Sequence, residues 1–148
     1  MNDLEILATD LDAFDRHLSR RRFLKYAAMI AVIPSLELDF SDRTFLRKIA
    51  ETVIAPAALR QTGIDVVVNI EHLLSRGSAE HRAKVFRLLA WARRVSFLYG
   101  GEKIAVRARR SRFTMIQKMS KALSSLCLVA FWGDERAMVL ISAPEGSQ

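Results

Sequence analysis

Apolar residues recur at intervals of three and four almost without interruption from Phe45 to Ala130, and few glycines or prolines punctuate them. That period lines one face of an α-helix, whereas on a strand it would scatter the same side chains over both faces. Phe45, Ile49, Thr52 and Val53 form a first stripe, with Ser41 or Asp42 available as N-cap and Pro56 just past its end. Gly63 breaks the chain, and Ile64, Val67, Val68, the less regular Ile70, Leu73 and Leu74 then make a second face up to Arg76-Gly77. The run Val66-Val67-Val68 has strand character, but the helical recurrence continues through it, so a helix is expected. Ser78 offers a new cap, and Val85, Leu88, Leu89, Ala92, Val95, Ser96 and Tyr99 form a long stripe that Gly100-Gly101 ends. Phe113, Ile116, Met119, Ser120, Leu123, Leu126, Cys127 and Ala130 form another. Asp134 can cap a short last helix through Ile141, ahead of a frayed tail from Pro144. The expected fold is all-α, a compact bundle of about five helices preceded by an N-terminal signal helix.

The remaining composition agrees. A chain of 148 residues, 51% of them hydrophobic, is long enough for one core without staples and too apolar to stay disordered. Six glycines and three prolines are too few for a loop-rich β fold. A single cysteine, Cys127, excludes an internal disulfide framework and a Cys-based zinc site.

The net charge of +7 is unevenly placed. Residues 1–25 hold five acids (Asp3, Glu5, Asp10, Asp12, Asp15) and five bases, residues 26–62 hold four of each, and residues 63–148 hold fourteen bases against seven acids. The excess therefore lies beyond Gly63. A basic segment meets nucleic acid, anionic lipid or an acidic protein, and charge alone does not choose among them.

The most specific string is Ser19-Arg20-Arg21-Arg22-Phe23-Leu24-Lys25, followed by the uncharged run Tyr26-Ala27-Ala28-Met29-Ile30-Ala31-Val32-Ile33 and Pro34. A charged region ahead of an apolar region of secretory length is the layout of a signal peptide. The order Ser-Arg-Arg-x-Phe-Leu-Lys resembles the twin-arginine signal, which addresses folded proteins to a bacterial translocase. A solvated amphipathic helix also carries arginine triplets, but not with Phe-Leu-Lys and an uncharged run directly behind them. The 11 apolar-dominated residues 26–36 are too few for a membrane span, which needs about 20. No Ala-x-Ala precedes a polar boundary, so the leader is either cut near residues 35–41 or retained as an N-terminal helix. The expected division is a leader over residues 1–40 and a helical domain over residues 41–148, exported to the periplasm or the outer face of the cytoplasmic membrane.

Catalytic signatures are not found in the sequence. No phosphate loop or dinucleotide fingerprint is present, and Gly100-Gly101 reads as a helix stop. His17, His72 and His81 are scattered, and the adjacent Glu71 and His72 point to different helix faces. Cys127 sits on an apolar stripe, where a thiol behaves as a small hydrophobe. The absence of Cys-x-x-Cys-His excludes covalent haem attachment on this chain. Catalytic, cofactor-binding and metal-binding residues are therefore expected to be none. The basic cluster Arg107, Arg109, Arg110 and Arg112, with Lys118 and Lys121 beyond, reads as a solvated helix start, or as a site for an acidic protein or lipid head groups. Only Phe113 stands among these bases as a stacking group, so nucleic acid is not expected as a partner.

Three stretches resemble the small (third) subunit family of gluconate 2-dehydrogenase-type membrane-bound flavin dehydrogenases. They are Leu46-Arg47-Lys48-Ile49-Ala50-Glu51-Thr52-Val53-Ile54-Ala55-Pro56; Gly63-Ile64-Asp65-Val66 with Ile70-Glu71-His72-Leu73-Leu74; and Leu128-Val129-Ala130-Phe131-Trp132-Gly133-Asp134-Glu135-Arg136-Ala137. The likeness spans about residues 45–140, and the family usually carries the same kind of leader. The tail departs from it, with Ile141-Ser142-Ala143-Pro144 in place of a Gly-Tyr-like ending.

The resemblance implies a subunit without a cofactor of its own. It would bind a large FAD-dependent flavoprotein of the glucose-methanol-choline class, mature it and escort it through the twin-arginine translocase. A cytochrome subunit with haem c would take the electrons. Ser19, Arg20, Arg21, Phe23, Leu24 and Lys25 would form the translocase signal. Phe131, Trp132 and Arg136 are candidates for the partner contact, since aromatic residues and arginine dominate interface energetics, with plain core packing the equal alternative for the two aromatics. A second expectation is a helical protein held at a membrane surface by a retained leader and a basic face.

Overall fold

The computed structural model describes residues 2–17 and 38–142, which form no strand. Eight α-helices are present among them: α1 (Asp3–His17), α2 (Phe40–Val53), α3 (Pro56–Thr62), α4 (Val66–Arg76), α5 (Ala79–Val95), α6 (Ile104–Arg107), α7 (Thr114–Trp132) and α8 (Met138–Ser142). The all-α expectation holds. The fifth long helix, after α2, α4, α5 and α7, is α1.

Short polar side chains set the helix starts. The Asp39 carboxylate accepts the Asp42 N–H at 2.7 Å, so α2 begins earlier than a cap at Ser41 or Asp42 would allow. Ile54 is extended and stops α2 ahead of Pro56. Pro56 does more than end that helix: it takes the first position of α3, where its missing N–H costs nothing. Gly63, at φ 65°, closes α3 in the left-handed region. Asp65 then accepts the N–H groups of Val67 and Val68, which places the Val66-Val67-Val68 run in the first turn of α4. Ser78 caps α5 through the His81 N–H, as expected. Beyond Val95 the chain tightens into a 3₁₀ turn, Ser96–Tyr99, that ends at Gly100 and Gly101 with φ of 81° and 65°.

Helix α7 is the axis of the molecule. Ile116, Met119, Ala122, Leu123, Leu126, Cys127 and Ala130 are buried on more than one of its faces, as befits a helix surrounded by others. Helices α1, α2, α4 and α6 all pack on it. Two buried serines allow the closest approach. Ser120 Oγ donates to the Ala105 carbonyl at 2.5 Å and Ser124 Oγ reaches the same oxygen at 3.4 Å, so α6 meets α7 through small residues.

Residues 3–17, which fall in the segment expected to act as leader, belong to this core. Leu7, Leu11 and Phe14, spaced four and three apart, are fully buried between α7 and α5. Each such side chain contributes about 1.5–3 kcal/mol relative to exposure. Three acids lock the helix in place. Asp10 accepts from the Ser125 hydroxyl and lies 3.4 Å from Lys121 Nζ. Asp12 pairs with Lys84, and Asp15 holds Arg87 through two hydrogen bonds of 2.6 and 3.2 Å. The acids that balance the leader arginines on paper are thus matched in space by bases of the body.

Candidate functional site

The signal residues Ser19, Arg20, Arg21, Phe23, Leu24 and Lys25 lie outside the described residues, as does the apolar run behind them. Phe131, Trp132 and Arg136 come together at the C-terminal end of α7, where they do different things. Phe131 is 1% exposed and belongs to the core. Trp132 stands edge-on to it, with ring centroids 5.1 Å apart and planes at 86°, and is 42% exposed. Arg136 stays exposed but folds back along the surface onto its own turn. Its Nε and Nη2 donate to the two Asp134 oxygens at 3.0 and 2.8 Å, and its Nη1 donates to the Gly63 carbonyl at 3.1 Å.

Asp134 is the hub of this corner. Asn69 Nδ2 on α4 donates to it at 2.9 Å and to the Ala130 carbonyl at 3.0 Å, while the Arg136 N–H completes the cap of a 3₁₀ turn, Glu135–Ala137. The Arg136 guanidinium, the Asn69 amide and the Arg136 N–H, in that order, hold the Asp134 carboxyl far below its ordinary range. A Cβ on Gly133 would lie 2.9 Å from the Val129 carbonyl, so the turn also requires glycine. The Phe-Trp-Gly-Asp-x-Arg segment is therefore a joint that fastens α4 and the Gly63 turn to α7. Met138, Val139 and Ile141 of α8 are also exposed apolar side chains in this C-terminal segment.

The other end of α7 is built from short turns. Phe97 and Leu98 project from the first 3₁₀ turn, and Phe113 precedes α7. Phe113 was expected on the core stripe, but it is 63% exposed, because the helix starts one residue later and the chain enters it from outside. The Tyr99 and Ser111 hydroxyls lie 3.0 Å apart, and the Phe113 N–H donates to Ser111 Oγ at 3.2 Å, which joins the two projecting segments. Arg107 folds over Gly100, where a Cβ would sit 2.5 Å from its Nη1. Lys103, Arg107, Arg109, Arg110 and Arg112 are exposed. No ion pair among the described residues involves any of them. Lys121, which the sequence groups with these bases, pairs instead with Asp10. Phe97 and Leu98 fall between Ser96 and Tyr99 of the long stripe, off its phase, and that is the signal by which the sequence marks them as outward.

Two shallow grooves flank α2. One, of about 340 Å³, lies among Phe40, Thr44, Lys48, Arg93 and Gly101, with Arg93 held by Asp42 and Ser41. The other, of about 320 Å³, runs past Arg47, Glu51, Leu59 and Ile64. Burial pushes the Cys127 thiol up to about 12, so it stays protonated. Among the described residues no three His, Cys, Asp or Glu side chains are grouped to hold a metal. Compared with known protein families, characterised proteins and solved structures, the chain matches none.

Proposed function

We propose that this chain is a non-catalytic small subunit that binds, matures and escorts a large FAD-dependent dehydrogenase of the glucose-methanol-choline type through the twin-arginine translocase. In this reading Arg20 and Arg21 address the complex, with Ser19, Phe23, Leu24 and Lys25 completing the signal. The flavin belongs to the partner, and a haem c subunit accepts the electrons outside the cytoplasm. The observation that carries the reading is the set of exposed apolar side chains Trp132, Met138, Val139 and Ile141, which flank in sequence a corner locked by Asp134 and Arg136. A rigid base under an exposed aromatic and aliphatic surface is the arrangement of an interface hot spot. Phe131 serves it from below, and Arg136 positions the turn rather than touching the partner.

Purification of the tagged full chain from its native host tests this. The expected result is a stoichiometric large chain with flavin absorbance, lost when Trp132 and Val139 are replaced by Ala and Asp. Replacing Arg20 and Arg21 by Lys should leave both this chain and the dehydrogenase activity in the cytoplasm. Export of the activity despite that replacement would sink the escort mechanism.

A further inference from the structure

We propose that the end of the molecule formed by residues 96–113 docks on an anionic lipid surface, with Phe97, Leu98 and Phe113 entering the headgroup boundary and Lys103, Arg107, Arg109, Arg110 and Arg112 contacting lipid phosphates. Three observations converge on it. The large apolar side chains are 76%, 66% and 63% exposed and stand on adjoining turns that the Tyr99–Ser111 contact holds together. Five exposed bases share the segment with one acid, Glu102. Those bases have no carboxylate partner among the described side chains, whereas Lys84, Arg87, Arg93 and Lys121 each hold one. Apolar residues interleaved with unmatched cations suit a surface that is hydrocarbon beneath and phosphate above, and long basic side chains can keep their charge at the phosphate level while their stems lie in the boundary.

The shape favours lipid over the other polyanions. Phe97 and Leu98 stand side by side on one four-residue turn, Phe113 stands just ahead of α7, and none of the three lines either of the grooves that flank α2. Leu98 offers no flat face on which a base could stack, as a nucleic-acid platform requires. No helix among the described residues is long and apolar enough to cross a membrane, so the contact proposed is peripheral. It lies at the opposite end of α7 from the side chains assigned to a protein partner and stands independently of that assignment.

Sedimentation of the full-length protein with vesicles tests the inference, using phosphatidylcholine alone and phosphatidylcholine mixed with phosphatidylglycerol, at low and high salt. Binding should require phosphatidylglycerol and weaken with salt. Arg109→Gln with Arg110→Gln should lower partitioning about 25-fold, at about five-fold per base near the surface. Phe97→Ser with Leu98→Ser should lower it at least about ten-fold. All four positions are exposed, so circular dichroism and melting should stay at wild-type values, and Val139→Ser at the far end should bind normally. Equal partitioning of the variants and the wild type would overturn the proposal, because the residues 26–33 of the leader would then account for binding. Failure to bind anionic vesicles, or tighter binding to a duplex oligonucleotide that the same variants abolish, would overturn it as well.

Discussion

The two ends of α7, separated by a helix about 28 Å long (19 residues at 1.5 Å each), expose comparable apolar side chains in opposite electrical settings. At the C-terminal end Arg136 is engaged by Asp134 and the Gly63 carbonyl, and Trp132, Met138, Val139 and Ile141 are exposed. At the N-terminal end the arginines remain exposed and the apolar groups stand among them. Under the two proposals, the apolar side chains of the C-terminal end would meet the face of another protein, and the basic fringe of projecting side chains would meet a charged, deformable surface.

The comparison fails if the two ends are not held apart by one rigid core, so the largest expected effects come from breaking that core. Asp15→Ala leaves Arg87 buried without its carboxylate and should cost about 3–5 kcal/mol in urea unfolding. Phe14→Ala, which empties a fully buried site against α7 and α5, should cost a similar amount, about 3–5 kcal/mol. Both should destabilise the two ends together by hydrogen exchange. Loss of one end only would mean that α1 is an ornament on the bundle and not part of it.

Asp134→Ala should act on one end. It removes the cap of the last 3₁₀ turn, for about 0.5–2 kcal/mol, while Asn69 keeps the Ala130 carbonyl and the exposed Arg136 keeps Gly63, with exchange rising in residues 128–142 and not in residues 96–113. A pH series sharpens this. The Asp134 carboxyl titrates below its ordinary 3.8 in the folded protein, so the unfolded chain takes up the proton first. Its stabilisation is complete above about 4 and is lost as pH falls through the folded value. Wild type should lose C-terminal protection in that acid range, and Asp134→Ala should show no further loss from this group.

The smallest effects belong to the basic end. Phe97→Ser and Leu98→Ser should shift stability by less than about 0.5 kcal/mol, since neither side chain is packed. A probe that ignores both ends is Cys127, whose thiol, raised to about 12 by burial, should resist iodoacetamide until global unfolding exposes it.

Much of the fold is legible from local patterns. The stops at Gly63 and Gly77 and the cap at Ser78 depend on residues within four positions of each other and operate as expected, while Gly100-Gly101 and Asp134 bound 3₁₀ turns, one after the α-helix that ends at Val95 and one ahead of the last helix. The site is less legible. Phe131 and Trp132 are neighbours in sequence, and only the packing of α7 sends one inward and leaves the other 42% exposed. Phe113 continues a helical stripe by count, yet the helix begins one residue after it. The pairing of Asp10, Asp12 and Asp15 with Lys121, Lys84 and Arg87 spans more than seventy positions, a separation at which no local rule operates.

Taken by itself, the sequence determined the helices and their punctuation, the uneven charge and the leader-like string, because period, caps and composition are properties of short stretches of chain. Only the tertiary structure decided which charges are neutralised and which apolar groups remain outside. Both depend on what is brought close in space, and α1, drawn by three buried side chains and three ion pairs into the groove between α5 and α7, is where that closeness departs most from the order of the residues.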